Sequence, residues 1–181
     1  IQPDQGAAFQ RQLQQAGVQG YDWYPMIRGR LVAINGKPVQ AQDYTDERAQ
    51  RLVEREFNLS HTAQPPDHNP IVAGRWTAED RDGISMEDGI AKTLKLKLGD
   101  KLRFDIAGLQ HETTITSLRE VDWGSMRANF FALYPVSQMP ELPATYLAAL
   151  RAPQQPGFDS ALVRQFPNIT VVDLSATLAQ V

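Results

Sequence analysis

The order of hydrophobic and polar residues predicts that the chain begins with a short amphipathic helix. Phe9, Leu13 and Ala16 lie on one helical stripe. Asp4 stands where a side chain can cap the first turn, and Gly17 stands where a left-handed residue can end the last one. We therefore expect a helix with one buried face near the N-terminus.

A β-hairpin is predicted directly after this helix. Residues 26–34 are rich in strand-forming side chains, and Asn35-Gly36 is the strongest two-residue signal for a hairpin turn. Because Pro38 has no N–H group to donate to a neighbouring strand, the returning strand is expected to stop early or to lie at a sheet edge.

A second hairpin is predicted in the middle of the chain. Residues 101–106 and 110–121 alternate between apolar and polar side chains on either side of a turn at Ala107-Gly108. A change of parity within the returning strand predicts a bulge near Ser117.

The remaining pattern predicts further short helices and strands. These are a helix over residues 45–56, a strand over 57–62, a loop over 64–70, a helix from Ser85 to the Gly99-Asp100 stop, strands over 129–134 and 145–150, a helix carrying Phe158, Leu162 and Phe166, and a strand over 169–172. Helices and strands are interleaved without a regular βαβ rhythm, which predicts an α+β class.

The pattern after the last strand predicts a helix that stops early. Asp173 or Ser175 can cap a helix over residues 174–181, which has about two turns and is marginal in isolation. We expect either that this helix docks on the domain or that it continues into a longer segment of a parent protein.

Composition adds two exclusions to this picture. The 181 residues, 42% of them apolar, fit one compact domain with two lobes at most. A net charge of −3 without a basic stripe disfavours a nucleic-acid partner. The absence of cysteine excludes disulfides, thiolate metal sites and a cysteine nucleophile.

Candidate chemistry is sparse, and we predict no catalytic, cofactor-binding or metal-binding residues. His61, His68 and His111 form no metal-ligand spacing, and no serine-nucleophile motif occurs. A hydrolase that uses His61 or His68 with the acidic residues 79–88 is kept as a competing hypothesis. Its test is substrate turnover that disappears when either histidine is changed.

One aromatic and charged cluster stands out in the loop after the second hairpin. Side chains of these types are favoured at contact centres and in cores alike. The sequence alone leaves both interpretations open, namely a packed internal loop or an exposed partner site. The cluster consists of Asp122, Trp123, Arg127, Asn129, Phe130 and Phe131.

This cluster also carries a family resemblance. The chain resembles the large extracytoplasmic domain of FtsX-like/MacB-like ABC transporter permeases, in the subgroup described as lysophospholipase-related transport permeases. The likeness runs in matching order over nearly the whole chain, and residues 122–131 are its most specific part. The other matching segments are residues 24–30, 34–36, 55–60, 73–76, 84–87, 98–100 and 117–123.

The resemblance implies a periplasmic domain of a bacterial inner-membrane protein, held between two transmembrane helices of the same permease. Such a domain is not an enzyme and has no cofactor. It couples ATP hydrolysis by a cytoplasmic ABC ATPase subunit to the movement or release of an envelope lipid, lipoprotein or amphiphile, which is mechanotransmission. A secreted esterase or another envelope protein is implied as a further partner.

The resemblance also implies a two-lobed MacB-like core with mixed sheet layers and short helices. Residues 1–50 and 144–181 are expected to form a membrane-proximal lobe with βαβ-like layers, and residues 51–143 an inserted, strand-rich lobe. Both ends of the chain are expected to lie together. The alternative function is a stand-alone module that binds a lipid or peptide, which requires a deep apolar pocket.

Overall fold

The computed structural model of the protein describes residues 3–17, 21–125, 127–150 and 164–173. Its helices are α1 (Pro3–Gln15), α2 (Glu47–Val53) and α3 (Asp88–Leu94). Its strands are β1 (Asp22–Ile34), β2 (Lys37–Pro38), β3 (Glu56–His61), β4 (Ile71–Gly74), β5 (Gly83–Glu87), β6 (Lys101–Ile106), β7 (Leu109–Arg119), β8 (Ala132–Tyr134), β9 (Thr145–Leu150) and β10 (Ile169–Asp173). Mixed sheet with a few short helices is consistent with the predicted α+β class.

Packing divides the chain into two compact units. Unit 1 contains residues 1–26, 124–128 and 144–181, and unit 2 contains residues 27–123 and 129–143. Strand β1 gives its first part to unit 1, where it pairs with β9, and the rest to unit 2, where it pairs with β3 and β6. The predicted lobes stay a prediction. The units differ from them over residues 27–50, which belong to unit 2, and over residues 124–128, which belong to unit 1.

Unit 1 is a three-stranded sheet covered by α1. Strand β9 pairs antiparallel with β1 and parallel with β10. The predicted stripe of α1 is buried, since Phe9 and Leu13 pack with Ala148 and Ile169 in one hydrophobic cluster. The helix begins at Pro3, so Asp4 lies in its first turn and not at its N-cap. Gly17, at φ +81°, takes the left-handed conformation predicted for it.

Unit 2 is built on a closed ring of six strands. The ring runs β1, β3, β8, β5, β7, β6 and back to β1. Closure gives the sheet an inner face that alternate side chains of each strand fill. Phe57 of β3 and Phe104 of β6 have ring centres 6.2 Å apart. Their strands pair with β1 on either side of Gly29. A Cβ atom on Gly29 would come within 3.0 Å of Ile106 and Leu59.

The predicted hairpins are confirmed. Asn35 and Gly36 have φ of +51° and +80°, as a type I′ turn requires, and β2 stops at Pro38. The β6–β7 hairpin turns at Ala107-Gly108. The register of β7 against β5 shifts between Ile115 and Ser117, which is the predicted irregularity.

One local prediction was wrong, and one strand was missed. Ser85 does not begin a helix, because it pairs with Ser117 on one side and Leu133 on the other as a central residue of β5. The helix starts at Asp88 instead, and the side chain of Glu87 caps it. Strand β4 was not predicted at all.

Some predictions fall outside the described residues. These are the Phe158 and Leu162 part of the penultimate helix and the terminal helix over 174–181. No helix within the described residues has the length and apolar character that a membrane crossing needs.

Candidate functional site

The loop that follows β7 is organised by a buried arginine. Arg119 ends β7 with a side chain that is 0% exposed. Its Nε donates to Ser85 Oγ at 3.0 Å, and Nη1 donates to Asn69 Oδ1 at 2.7 Å. Nη2 donates to the carbonyl oxygens of Phe130 at 2.9 Å and Phe131 at 3.3 Å. The rigid guanidinium fork thus fixes β5, the loop before β4 and the phenylalanine pair in one arrangement.

Trp123 lies over the edge of this arrangement. Its ring centre is 5.1 Å from that of Phe131 in an edge-to-face contact, and its Nε1 donates to Glu87 Oε1 at 3.3 Å. Phe130 is buried, whereas Trp123 is 48% exposed. The two interpretations of the cluster therefore apply to different residues: Phe130 belongs to the core, and Trp123 presents half of its surface to solvent.

Glu87 connects Trp123 to α3. Besides accepting from Trp123, its carboxylate accepts from the backbone N–H of Ile90 and caps the helix. Gly89 lies so close that a Cβ atom there would approach Glu87 Oε1 to 2.7 Å. The absence of a side chain at residue 89 is therefore what lets the carboxylate serve the tryptophan and the helix together.

Arg127 has a separate role, within unit 1. Its Nε and Nη2 donate to the Asp22 carboxylate at 3.0–3.1 Å, and the backbone N–H of Ala128 donates to the same carboxylate at 2.7 Å. This bidentate pair ties residues 124–128 to the start of β1. The charge of Arg127 is thus paired inside its own unit.

Asn129 and Asp122 complete the cluster in unit 2. Asn129 Oδ1 accepts from Asn69 Nδ2 at 3.1 Å, and Asn129 Nδ2 donates to the carbonyl of Asp122 at 3.5 Å. The structure therefore brings five of the six predicted residues into unit 2 around Arg119 and places Arg127 in unit 1.

The sequence interpretation did not assign Arg119, Glu87 or Asn69 to the cluster. The sequence does carry a signal for Arg119, because alternate residues of β7 from Thr113 to Arg119 are buried and the alternation thus places a charged side chain at a buried position. An arginine in that position needs internal acceptors. Glu87 falls among the acidic residues 79–88, but nothing in the local pattern links it to Trp123, and nothing marks Asn69.

The three histidines have separate partners. His61 Nδ1 lies 3.1 Å from the carbonyl oxygen of Val136, His68 Nδ1 lies 3.3 Å from Asp67 Oδ1, and His111 Nδ1 lies 3.2 Å from the Tyr134 hydroxyl. Burial lowers the pKa of His61 and raises the pKa of Tyr134. Among the described residues, no three metal-ligating side chains come together.

A polar depression lies on the outside of the strand ring. Arg30, Glu56 and Asp105 line it together with the Ala107-Gly108 turn, and it encloses about 230 Å³. Arg30 lies opposite Glu56 in β3 and opposite Asp105 in β6. Its charged lining differs from the deep apolar pocket that a stand-alone lipid-binding module requires.

Known proteins resemble this chain in sequence and, more weakly, in fold. No protein-family model matches. The chain is 41% identical over 159 residues, 88% of its length, to the "Uncharacterized ABC transporter permease YbbP" of Escherichia coli (strain K12). The chain is homologous to part of an ABC transporter permease. It spans about a fifth of that relative, 19% of its length.

A solved structure gives a weaker likeness. It is described as "a domain of a putative Permease protein" from Porphyromonas gingivalis, with a TM-score of 0.47 and 18% identity, over 84% of this chain and 66% of the other.

Trp123 provides a first test of the site. Trp123→Ala is expected to lower the free energy of unfolding by about 1–2 kcal/mol, because only about half of the side chain is buried. Phe130→Ala, at a buried position, is expected to cost about 3–5 kcal/mol. Both are measured by denaturant titration, with the exposed Leu109→Ala as the neutral control. A loss for Trp123→Ala as large as that for Phe130→Ala would contradict the half-exposed placement.

Proposed function

We propose that this chain is a non-catalytic periplasmic domain of an FtsX-like/MacB-like ABC transporter permease. It couples ATP hydrolysis in the cytoplasm to the movement or release of an envelope lipid, lipoprotein or amphiphile. Its partners are the transmembrane helices of the same permease and a cytoplasmic ABC ATPase subunit. A secreted esterase as a further partner is proposed from the family resemblance alone.

The observation that carries this proposal is the shared core of α1 and β10. Phe9 and Leu13 of α1 lie in one cluster with Ile169 of β10, and Val171 packs against it. The first described helix and the last described strand therefore meet in unit 1. A domain held between two membrane anchors is expected to carry both of them on one compact body, and the elements nearest to the two proposed anchors share this unit. Homology to a fifth of a longer permease supports the same conclusion.

The packing of unit 1 suits transmission of force. Phe9 stacks on Trp23 with ring centres 5.2 Å apart, and Trp23 stacks on Tyr146 at 4.7 Å. These stacked rings link α1 to β1 and β9. Because the interior is close-packed, a displacement of α1 is transmitted to the sheet. In this proposal the membrane-proximal lobe comprises residues 1–50 and 144–181, and the inserted lobe comprises residues 51–143.

Location is tested by labelling single cysteines in the full-length permease of intact cells. The chain contains no cysteine, so Glu120→Cys, at an exposed position, introduces a unique thiol within it, once cysteines elsewhere in the permease are replaced. A membrane-impermeant maleimide is expected to label it without lysis. Ala148→Cys, at a position that is 0% exposed, is the matched control and should stay unlabelled. Labelling of residue 120 only after lysis would overturn the periplasmic location.

Coupling is tested separately, on the permease with its ATPase subunit. The labelling rate of Gln14→Cys, at an exposed position of α1, is expected to change between the nucleotide-free and ATP-bound states. The change should disappear when the ATPase subunit cannot bind nucleotide. Equal rates in all three states would overturn mechanotransmission and leave the location result intact.

A further inference from the structure

All five lysines of the chain lie in two segments that the structure joins. Lys92, Lys95, Lys97 and Lys101 fall within ten residues, and Lys37 lies in the β1–β2 hairpin. Asn35 of that hairpin donates through Nδ2 to Asp100 Oδ1 at 3.1 Å and accepts through Oδ1 from the N–H of Lys101 at 2.9 Å. The hairpin and the α3–β6 connection therefore form one lysine face, defined by these five residues, on a chain whose net charge is −3.

A tight turn lies among the lysines of this face, and the N–H of Gly99 holds it to the carbonyl of Ile115 in β7 at 2.9 Å. The N–H of Asp100 donates to the carbonyl of Lys97 at 3.1 Å, and Gly99 has φ of +89°, as the third residue of a type II turn requires. The Asp100 carboxylate is buried and accepts from the N–H of Lys97 at 2.9 Å. Leu98 stands at the second turn position, 41% exposed.

Leu98 and a second exposed apolar residue, Val72, form an apolar patch. A Cβ atom on Gly74 of β4 would lie 2.9 Å from Leu98 Cδ2, so Leu98 lies against the outward face of that strand. Val72 shares the exposed parity with Gly74 and is 47% exposed. Leu98 and Val72 are two of the four large apolar side chains that the described residues expose. The apolar patch therefore adjoins the lysine face.

The lysines are available for an outside partner. Within the described residues, Lys92 pairs with Asp88 at 3.0 Å, whereas Lys95, Lys97 and Lys101 have exposed side chains and no ion pair. The one carboxylate inside the turn, that of Asp100, is turned inward.

Glu112 is the acid nearest to Lys101 in strand register, since it lies diagonally across from it in β7, and it pairs with Arg103 at 3.4 Å. Asp82 lies further off, next to Gly83, which pairs with Thr114 opposite Lys101. Asp82 is thus two strand spacings from Lys101, about 10 Å, which is comparable to the screening length at physiological ionic strength.

Lys95 has a left-handed backbone conformation, which favours glycine. It ends α3 at φ +60°, ψ +39°, the left-handed position that glycine most often takes. A lysine there is disfavoured by its Cβ atom, so its presence has no explanation in local folding.

From these observations we infer that the lysine face and Leu98 dock on an anionic phospholipid surface. Lysines near such a surface attract its phosphate groups, and an apolar side chain raised between them enters the headgroup region. Charge complementarity selects this partner, because the face gathers every lysine of an otherwise acidic chain around one apolar tip. The inference goes beyond the proposed coupling function and does not depend on it.

The test is co-sedimentation of the 181-residue chain with vesicles of equimolar phosphatidylglycerol and phosphatidylcholine. Binding is expected to these vesicles, to weaken with added salt, and to be absent with pure phosphatidylcholine. Lys95→Gly with Lys97→Gln and Lys101→Gln should weaken binding about a hundredfold, since each lysine contributes about fivefold. Leu98→Asn should weaken it severalfold with no change in net charge.

Two controls separate binding from folding and from overall charge. Lys95→Gly alone is expected to keep or raise the melting temperature while lowering vesicle binding about fivefold. Arg48→Gln with Arg51→Gln and Arg55→Gln removes the same charge from exposed positions of another segment and should leave binding within about twofold.

Three outcomes would overturn the inference. One is equal binding to both vesicle types, and another is full binding by the triple lysine variant. The third is no binding to vesicles together with lysine-dependent binding to polyglutamate, which would point to an acidic protein instead. None of these results bears on the labelling of Glu120→Cys or Gln14→Cys, so failure here and failure of the proposed function are distinguishable.

Discussion

Replacing Arg119 with methionine is expected to lower the free energy of unfolding by about 3–5 kcal/mol. The buried guanidinium donates to Asn69 Oδ1, to Ser85 and to the carbonyls of Phe130 and Phe131. Methionine fills much of the volume but donates nothing, so these acceptors lose their partner away from water. The melting temperature should fall by about 2–4 °C for each kcal/mol.

Denaturant titration measures this loss, and two further variants sharpen it. Arg75→Met removes an exposed arginine beside β4 and should stay within about 0.5 kcal/mol of the parent. Arg119→Lys keeps the positive charge without the planar fork and should also destabilise. If lysine restored full stability, charge alone, and not the planar geometry of the guanidinium, would hold the loop.

Phe9→Ala is expected to have an effect of similar size, about 3–5 kcal/mol. Phe9 is 0% exposed and touches Trp23 on one side and Phe166, at 5.1 Å between ring centres, on the other. Its removal leaves a cavity that neighbouring aromatic rings cannot fill without leaving their contacts. Because its partners all belong to unit 1, the largest loss of amide protection should appear in β9 and β10.

Hydrogen exchange resolved by segment is the measurement for this variant. Gln14→Ala, at an exposed position of the same helix, is the matched control and should leave protection unchanged. Equal loss of protection in the β6–β7 hairpin of unit 2 would show that the two units unfold together and would contradict the local effect.

Elements with short-range signals could be predicted from the sequence. The Asn35-Gly36 turn, the β6–β7 alternation and the buried stripe of α1 depend on neighbours within a few residues. Such signals come from the backbone conformation of a turn or from the apolar face of a single helix or strand. They do not depend on which element packs against that face.

The two missed strands have no such signal. All five residues of β5 are buried, so the strand lacks the alternation of apolar and polar side chains that marks a half-buried strand. Its partners β7 and β8 lie far along the sequence. Acidic residues at its end imitate a helix start, and in the structure Glu87 is indeed the cap of the helix that follows. Strand β4 has four residues and pairs with β7 alone, among the described strands, across an irregular register.

The candidate site could be predicted in composition but not in arrangement. Residues 122–131 were identified as a cluster, yet only tertiary pairing assigns Arg127 to Asp22 and Trp123 to Glu87. Those partners lie 105 and 36 residues away along the chain. No periodicity relates positions so far apart, because tertiary packing decides which of them meet.

The distribution of lysine has a practical consequence for anyone handling this protein. Among side chains, succinimidyl esters on a sensor chip can react only with Lys37 and with the lysines from Lys92 to Lys101. Molecules coupled through a side-chain amine would therefore share nearly the same orientation, with the Leu98 turn against the support.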